Sequence, residues 1–301
     1  MKQGIFRRAK FSLCGRAEIN ILPEKMQFPG SQNFLTPPAP GGKWPARFYW
    51  VSVFSLAVGF LCTVAAVALQ MEVRWLEVVL LLLATLSTLA ALARQLPLQN
   101  VVLAAGIIAL IGGSVQAIGE KSGIPFGPFI YGAETGWRIF GTLPWAVPLL
   151  WVVAILNSRG VARLVLRPWR KMRTYGFWLI GLTALFTMLF DCALEPFAAR
   201  TRHYWIWTSA GYSLTPQGAP ISNSVGWFVV TLLILAFVTP ALINKQLSKR
   251  SSPSFHPLLV WLGGVALFAT GAAMNGLWVA ATVDGILAVL VAAFAIRGSR
   301  W

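Results

Sequence analysis

Eight stretches of the chain, each close to twenty residues and almost wholly apolar, alternate with shorter segments that hold most of the charge. They fall near 48–69, 75–93, 101–118, 140–156, 175–193, 225–243, 258–274 and 277–296. A helix rises about 1.5 Å per residue, so about twenty apolar residues cover the roughly 30 Å of a bilayer's hydrocarbon core. The pattern predicts an all-α fold, a polytopic transmembrane bundle of about eight spans. Asn275-Gly276 between the last two runs is a turn signal and predicts a tight helical hairpin there. No internal repeat stands out, so 48–301 reads as one membrane domain.

Composition agrees with lipid as the solvent: 57% of the 301 residues are hydrophobic and only 11% charged, against about 25% in a soluble domain. The net charge of +16 would suggest nucleic acid in a soluble protein. Here the basic residues sit between the spans and read as topology signals. With the N-terminus inside, the inner segments hold 20 Lys and Arg and the outer ones 5, which predicts both termini in the cytoplasm. Residues 1–47 carry eight of the basic residues and a Pro-Pro-Ala-Pro stretch but no apolar core of a secretory signal, and are expected to form a loosely ordered basic arm. No aromatic or Gly-rich recognition pattern accompanies that charge, so nucleic acid is not an expected partner. Cys14, Cys62 and Cys192 have neither metal-ligand nor disulfide spacing and are expected to be free thiols, with no metal site.

Two outer segments, 119–139 and 196–224, are rich in Gly, Pro and aromatic residues. The first is too apolar for a solvated loop and too broken for a helix, which predicts a re-entrant or interfacial segment folded against the bundle. Four of the nine acidic residues fall at these segments: Glu120, Glu134, Asp191 and Glu195. Asp191 and Glu195 are four apart, hence on one helix face, one turn from each other. Two carboxylates so close in a poorly solvated place cannot both ionise cheaply, and one of them should keep a proton and be able to act as a general acid. A bland alternative exists for each: Glu195 as a helix-end partner of Arg200 or Arg202, Glu120 and Glu134 as anions beside Lys121 or Arg138. Asp191, at the edge of a span, is the hardest to read as structural. Trp205, Trp207 and Trp227 fit an interfacial belt, or, for Trp205 and Trp207, the wall of a cavity for a flat or cationic species. Asp284, alone in the last span, has no assigned role.

The two segments carry recognisable text. Gly-x-Pro-Phe-Gly-x-x-x-Tyr spans Gly123 to Tyr131, followed by Pro144, Pro148 and Trp151. An Asp-x-x-x-acid-Pro run at Asp191 to Pro196 leads to Trp205-x-Trp207 and then to Pro-x-Ser-Asn-x-x-Gly-Trp ending at Trp227. In this order and spacing the motifs resemble the membrane carotenoid biosynthesis protein family, of the bisanhydrobacterioruberin and γ-carotene 1,2-hydratase type. The resemblance covers about two thirds of the chain and leaves out the basic tail; Glu195 stands where the family pattern carries Asp.

The resemblance implies a cofactor-independent hydratase of the bacterial or archaeal cytoplasmic membrane, adding water to the terminal 1,2 double bond of an acyclic carotenoid by acid catalysis. Asp191, Glu195, Glu134 and Glu120 are the candidate acids. Phe126, Tyr131, Tyr204, Trp205, Trp207, Asn223 and Trp227 are the candidate substrate-binding residues. Expected partners are a carotenoid or other isoprenoid and membrane lipid, with other enzymes of the same pathway as candidates. The rival readings are a transporter or carrier of an isoprenoid lipid, and a non-catalytic membrane scaffold.

Overall fold

The computed structural model of the chain describes residues 43–71, 73–208, 219–243 and 253–301. Eight helices follow in order: α1 (Lys43–Ala68), α2 (Arg74–Ala93), α3 (Leu98–Ser122), α4 (Ala146–Val165), α5 (Tyr175–Glu195), α6 (Ile221–Val238), α7 (His256–Met274) and α8 (Trp278–Ser299). Each is long and apolar enough to cross a membrane. Large apolar side chains such as Phe54, Leu110, Phe177 and Val289 are exposed on the outside of the bundle, a surface that water would penalise and acyl chains accept. The chain is an integral membrane protein. Residues 1–42, with Cys14, lie outside the described residues, and α1 starts at Lys43, within the stretch expected as an arm.

The hairpin between α7 and α8 turns at Asn275-Gly276 as expected, Gly276 taking φ of 74°. The fourth helix departs from the hydropathy reading of 140–156 and is displaced toward the C-terminus. Phe140 and Gly141 adopt positive φ, 50° and 72°, and turn a small hairpin in which Ile139 pairs with Leu143. At its other end α4 runs on through Asn157, Ser158 and Arg159, all buried. Hydropathy counts these residues against a span, but in the bundle Asn157 and Arg159 find partners. Asn157 Nδ2 donates to Thr88 Oγ1 at 3.0 Å and to the Val153 carbonyl at 2.8 Å, and Arg159 Nη2 donates to the Leu242 carbonyl at 3.2 Å. Helix α4 packs against α2, α3, α5, α7 and α8 and forms the centre of the bundle.

The all-α expectation needs one addition. Four short strands occur among the described residues: β1 (Phe129–Tyr131), β2 (Arg138–Ile139), β3 (Leu143–Pro144) and β4 (Trp205–Trp207). The β2–β3 pair is the hairpin before α4, whereas β1 and β4 join the two outer segments in an antiparallel ribbon. Helix α3 continues to Ser122, so only the part after its left-handed cap Gly123, φ 71°, is irregular. That part folds against the bundle through Phe126, Phe129 and Tyr131, all buried, while Trp137 and Phe140 project outward.

Candidate active site

Helix α5 carries Asp191 and Glu195 in its last two turns and meets Pro196, which has no N–H to continue the α-helical ladder. The chain instead winds through a wider π-helical turn, Pro196–Thr201, closed by the Arg202 N–H on the Phe197 carbonyl at 2.9 Å. The Tyr204 N–H then bonds the Ala198 carbonyl at 2.8 Å, and the chain doubles back over the end of α5 as β4. There it pairs with β1 in the register Phe129 with Trp207, Ile130 with Ile206 and Tyr131 with Trp205. Side chains of a strand alternate between faces, so the four aromatic residues share one face and the two isoleucines the other. Ile130 and Ile206 are about half exposed, at 50% and 49%, and the aromatic face covers the carboxylates.

Both carboxylates are buried, Asp191 at 1% and Glu195 at 2% exposure. Their hydrogen bonds differ in kind. Glu195 accepts from two indoles: Trp205 Nε1 at 3.0 and 3.2 Å to its two oxygens, and Trp207 Nε1 at 2.5 Å to Oε1. An indole can only donate, so both oxygens of Glu195 act as acceptors. Asp191 accepts from Asn223 Nδ2 at 2.8 Å through Oδ2, and its Oδ1 has no protein partner. Asn223 reaches it from the first turn of α6.

A small cavity of about 20 Å³ lies beside Asp191, lined also by Gln116, Tyr131, Trp205, Asn223 and Trp227. Three of its lining residues hold a buried polar atom without a protein partner: Asp191 Oδ1, Tyr131 Oη and Gln116 Oε1. A volume of this size holds about one water, and a buried water needs two to four polar partners. Burial pushes the Tyr131 phenol above its ordinary range and the charge of Glu120 adds to the effect, so the hydroxyl keeps its proton and can donate. Trp227 presents one wall and is stacked on Trp151, ring centroids 3.8 Å apart and planes 12° from parallel.

Of the residues expected from the sequence, Asp191, Tyr131, Trp205, Trp207, Asn223 and Trp227 line this cavity, and Glu195 is bound to two of them. The others lie elsewhere. Tyr204 does not face the cavity; its hydroxyl bonds Glu77 of α2, which also pairs with Arg202 at 2.5 Å. Glu120 is in α3, 3.9 Å from Arg138. Glu134 is in the turn Ala133–Thr135, with its side chain outside the described residues. Phe126, fully buried, is a wedge: a Cβ on Gly119 of α3 or on Gly226 of α6 would approach its ring to 2.8 Å. With Ser222 Oγ donating to the Phe126 carbonyl at 3.1 Å, that wedge fastens the first outer segment between α3 and α6.

Sequence reasoning passed over Gln116 and the Glu77–Arg202 pair. Both had a signal, since an amide or a carboxylate within an apolar run needs a buried partner or a function. It also passed over the ribbon, although Phe-Ile-Tyr and Trp-Ile-Trp carry matching aromatic residues at a period of two.

Comparison with known proteins gives one relative and one family. A bisanhydrobacterioruberin hydratase of Haloarcula japonica is 28% identical over 179 residues, 56% of this chain and 57% of the relative, so the chain spans little more than half the length of that protein. No solved structure matches the chain. The family model described as carotenoid biosynthesis protein matches residues 76–291, which hold the helices and both outer segments of the site, and the chain belongs to that family.

Proposed function

We propose that the protein hydrates the terminal 1,2 double bond of an acyclic carotenoid end group, with Asp191 as the proton donor. The observation that carries this reading is a cavity the size of one water beside a carboxyl group, three of whose lining residues each hold a buried polar atom without a protein partner. The relative named as a hydratase supports the reaction class.

In this reading Asp191 Oδ1 gives its proton to C2 of the alkene, and the π electrons form the new C–H bond. The tertiary cation left at C1 is met by water, whose oxygen forms the C–O bond and whose proton returns to the carboxylate. The product is a tertiary alcohol, and no electrons leave the substrate. Asn223 and the two indoles divide the labour between the carboxylates. Both oxygens of Glu195 are occupied by indole donors, whereas Asp191 keeps Oδ1 without a protein partner, so Asp191 is the carboxyl with an oxygen left to carry a proton and give it to the substrate. Tyr131 and Gln116 hold the water in the cavity beside Asp191, within reach of the carboxylate that takes back its proton. The face of Trp227 stabilises the cation. A polyene is too apolar to arrive through water, so its end group enters from the lipid, displacing side chains around the small cavity.

The test is to express the chain in a lycopene-producing bacterium and analyse the pigments by mass. Products heavier by one water and more polar on chromatography are expected. Unchanged pigment, with the protein present in the membrane, would exclude lycopene hydration and leave the carrier reading.

A further inference from the structure

At the opposite end of the bundle a second cavity, about 150 Å³, opens between α2, α4, α7 and the link from α4 to α5. Its walls include Arg159, Arg163, Arg167 and Arg170. They recur at intervals of four, four and three residues, which sets them along one ridge of α4 and the turn that continues it. Tyr175, His256, Thr88, Gln95, Asn157 and Ser254 make up the rest of the polar lining, and among the described residues no Asp or Glu lies on the wall.

Arg159 is 7% exposed and its Nη2 bonds a backbone carbonyl, a neutral group that satisfies a donor without balancing the charge. A buried guanidinium without a counter-charge is costly, and neighbouring cations on the same wall add repulsion. Both costs fall when an anion enters. The planar N–H forks of arginine match tetrahedral phosphate oxygens, and a cavity of about 150 Å³ has room for one phosphate group.

We propose that this cavity is an anion site that takes a phosphate group, either the phosphodiester of an anionic lipid headgroup or free phosphate. It lies at the end where the basic segments gather, the side on which the positive-inside rule puts anionic leaflet lipid. The site is separate from the carboxylate pair, so it stands or falls independently of the proposed hydration.

The test uses the purified full chain in a neutral detergent and follows thermal unfolding by tryptophan fluorescence. Inorganic phosphate is compared with chloride at equal ionic strength, and nanodiscs containing phosphatidylglycerol with discs of phosphatidylcholine alone. A ligand that binds the folded state raises the melting temperature. A rise of several degrees with phosphate, with phosphatidylglycerol or with both supports the site, and the effective arm names the source. In Arg163→Gln/Arg170→Gln, changed at two exposed positions, the half-maximal effect should need at least tenfold more ligand. Arg159→Gln should remove it. Should Arg159→Gln fail to fold, the double variant carries the test. No rise in the wild type, or an equal rise in the double variant, overturns the proposal.

Discussion

Tyr131 stands directly opposite Trp205 in the antiparallel ribbon between the two outer segments, and both side chains face the end of α5. The pairing joins two groups 74 positions apart in the chain. One is a hydroxyl without a protein partner, and the other is an indole that donates to Glu195. The ribbon therefore couples the water-sized cavity to the carboxylate pair.

Asp191→Asn keeps the volume and can still accept from Asn223, but has no transferable proton. Hydration should fall by about 10²–10⁴, the usual worth of a general acid, with the yield of folded protein unchanged. Pigment analysis at matched protein level checks this, and near wild-type product would move the proton donor to another residue.

Tyr131→Phe separates stability from activity. The hydroxyl is buried with no protein partner, so its removal breaks no hydrogen bond within the protein and should leave the melting temperature nearly unchanged. Hydration should drop at least tenfold if the hydroxyl orients the attacking water. A variant with less stability and full activity would refute that role.

Trp207→Phe deletes the shortest hydrogen bond to Glu195. A bond to a charged acceptor contributes about 1.5–3 kcal/mol, so unfolding should become easier by that order. Trp205 still donates to both oxygens, and activity should be reduced but measurable. Chemical denaturation in detergent, run beside pigment analysis, reads both effects.

Gly226→Ala places a methyl group 2.8 Å from the Phe126 ring and 3.2 Å from the Pro125 carbonyl. The ring cannot yield toward α3, where Gly119 already touches it. The first outer segment should lift, with a loss of about 1–3 kcal/mol and faster proteolysis after Gly123. Wild-type protease resistance would show that the wedge tolerates displacement.

Tyr131 and Tyr204 predict a loss of stability in alkali. Burial holds both phenols above the ordinary tyrosine value of about 10, with Glu120 adding to the shift for Tyr131 and Glu77 for Tyr204. Above that value the unfolded chain sheds protons that the folded chain retains, so stability falls as pH rises. Melting temperatures measured from pH 9 upward should decline, and less steeply in Tyr131→Phe.

The eight spans and the Asp191–Glu195 pair were legible in the sequence because they depend on local order. A run of about twenty apolar residues crosses the hydrocarbon wherever it occurs, and two residues four apart share a helix face in any helix. The family motifs were legible for the same reason, as short text in a fixed order. What the tertiary structure decided depends on contacts between distant segments. The start of α4 moved because Phe140 and Gly141 turn a hairpin, and its end moved because Asn157 and Arg159 found partners on α2 and beside α6. Tyr204, adjacent to Trp205 in sequence, left the site because its hydroxyl meets Glu77. Gln116 entered it from a helix that reads as a plain apolar span. Alternation along a strand sends neighbours to opposite faces, and only the pairing of β1 with β4 settled which aromatic residues look inward.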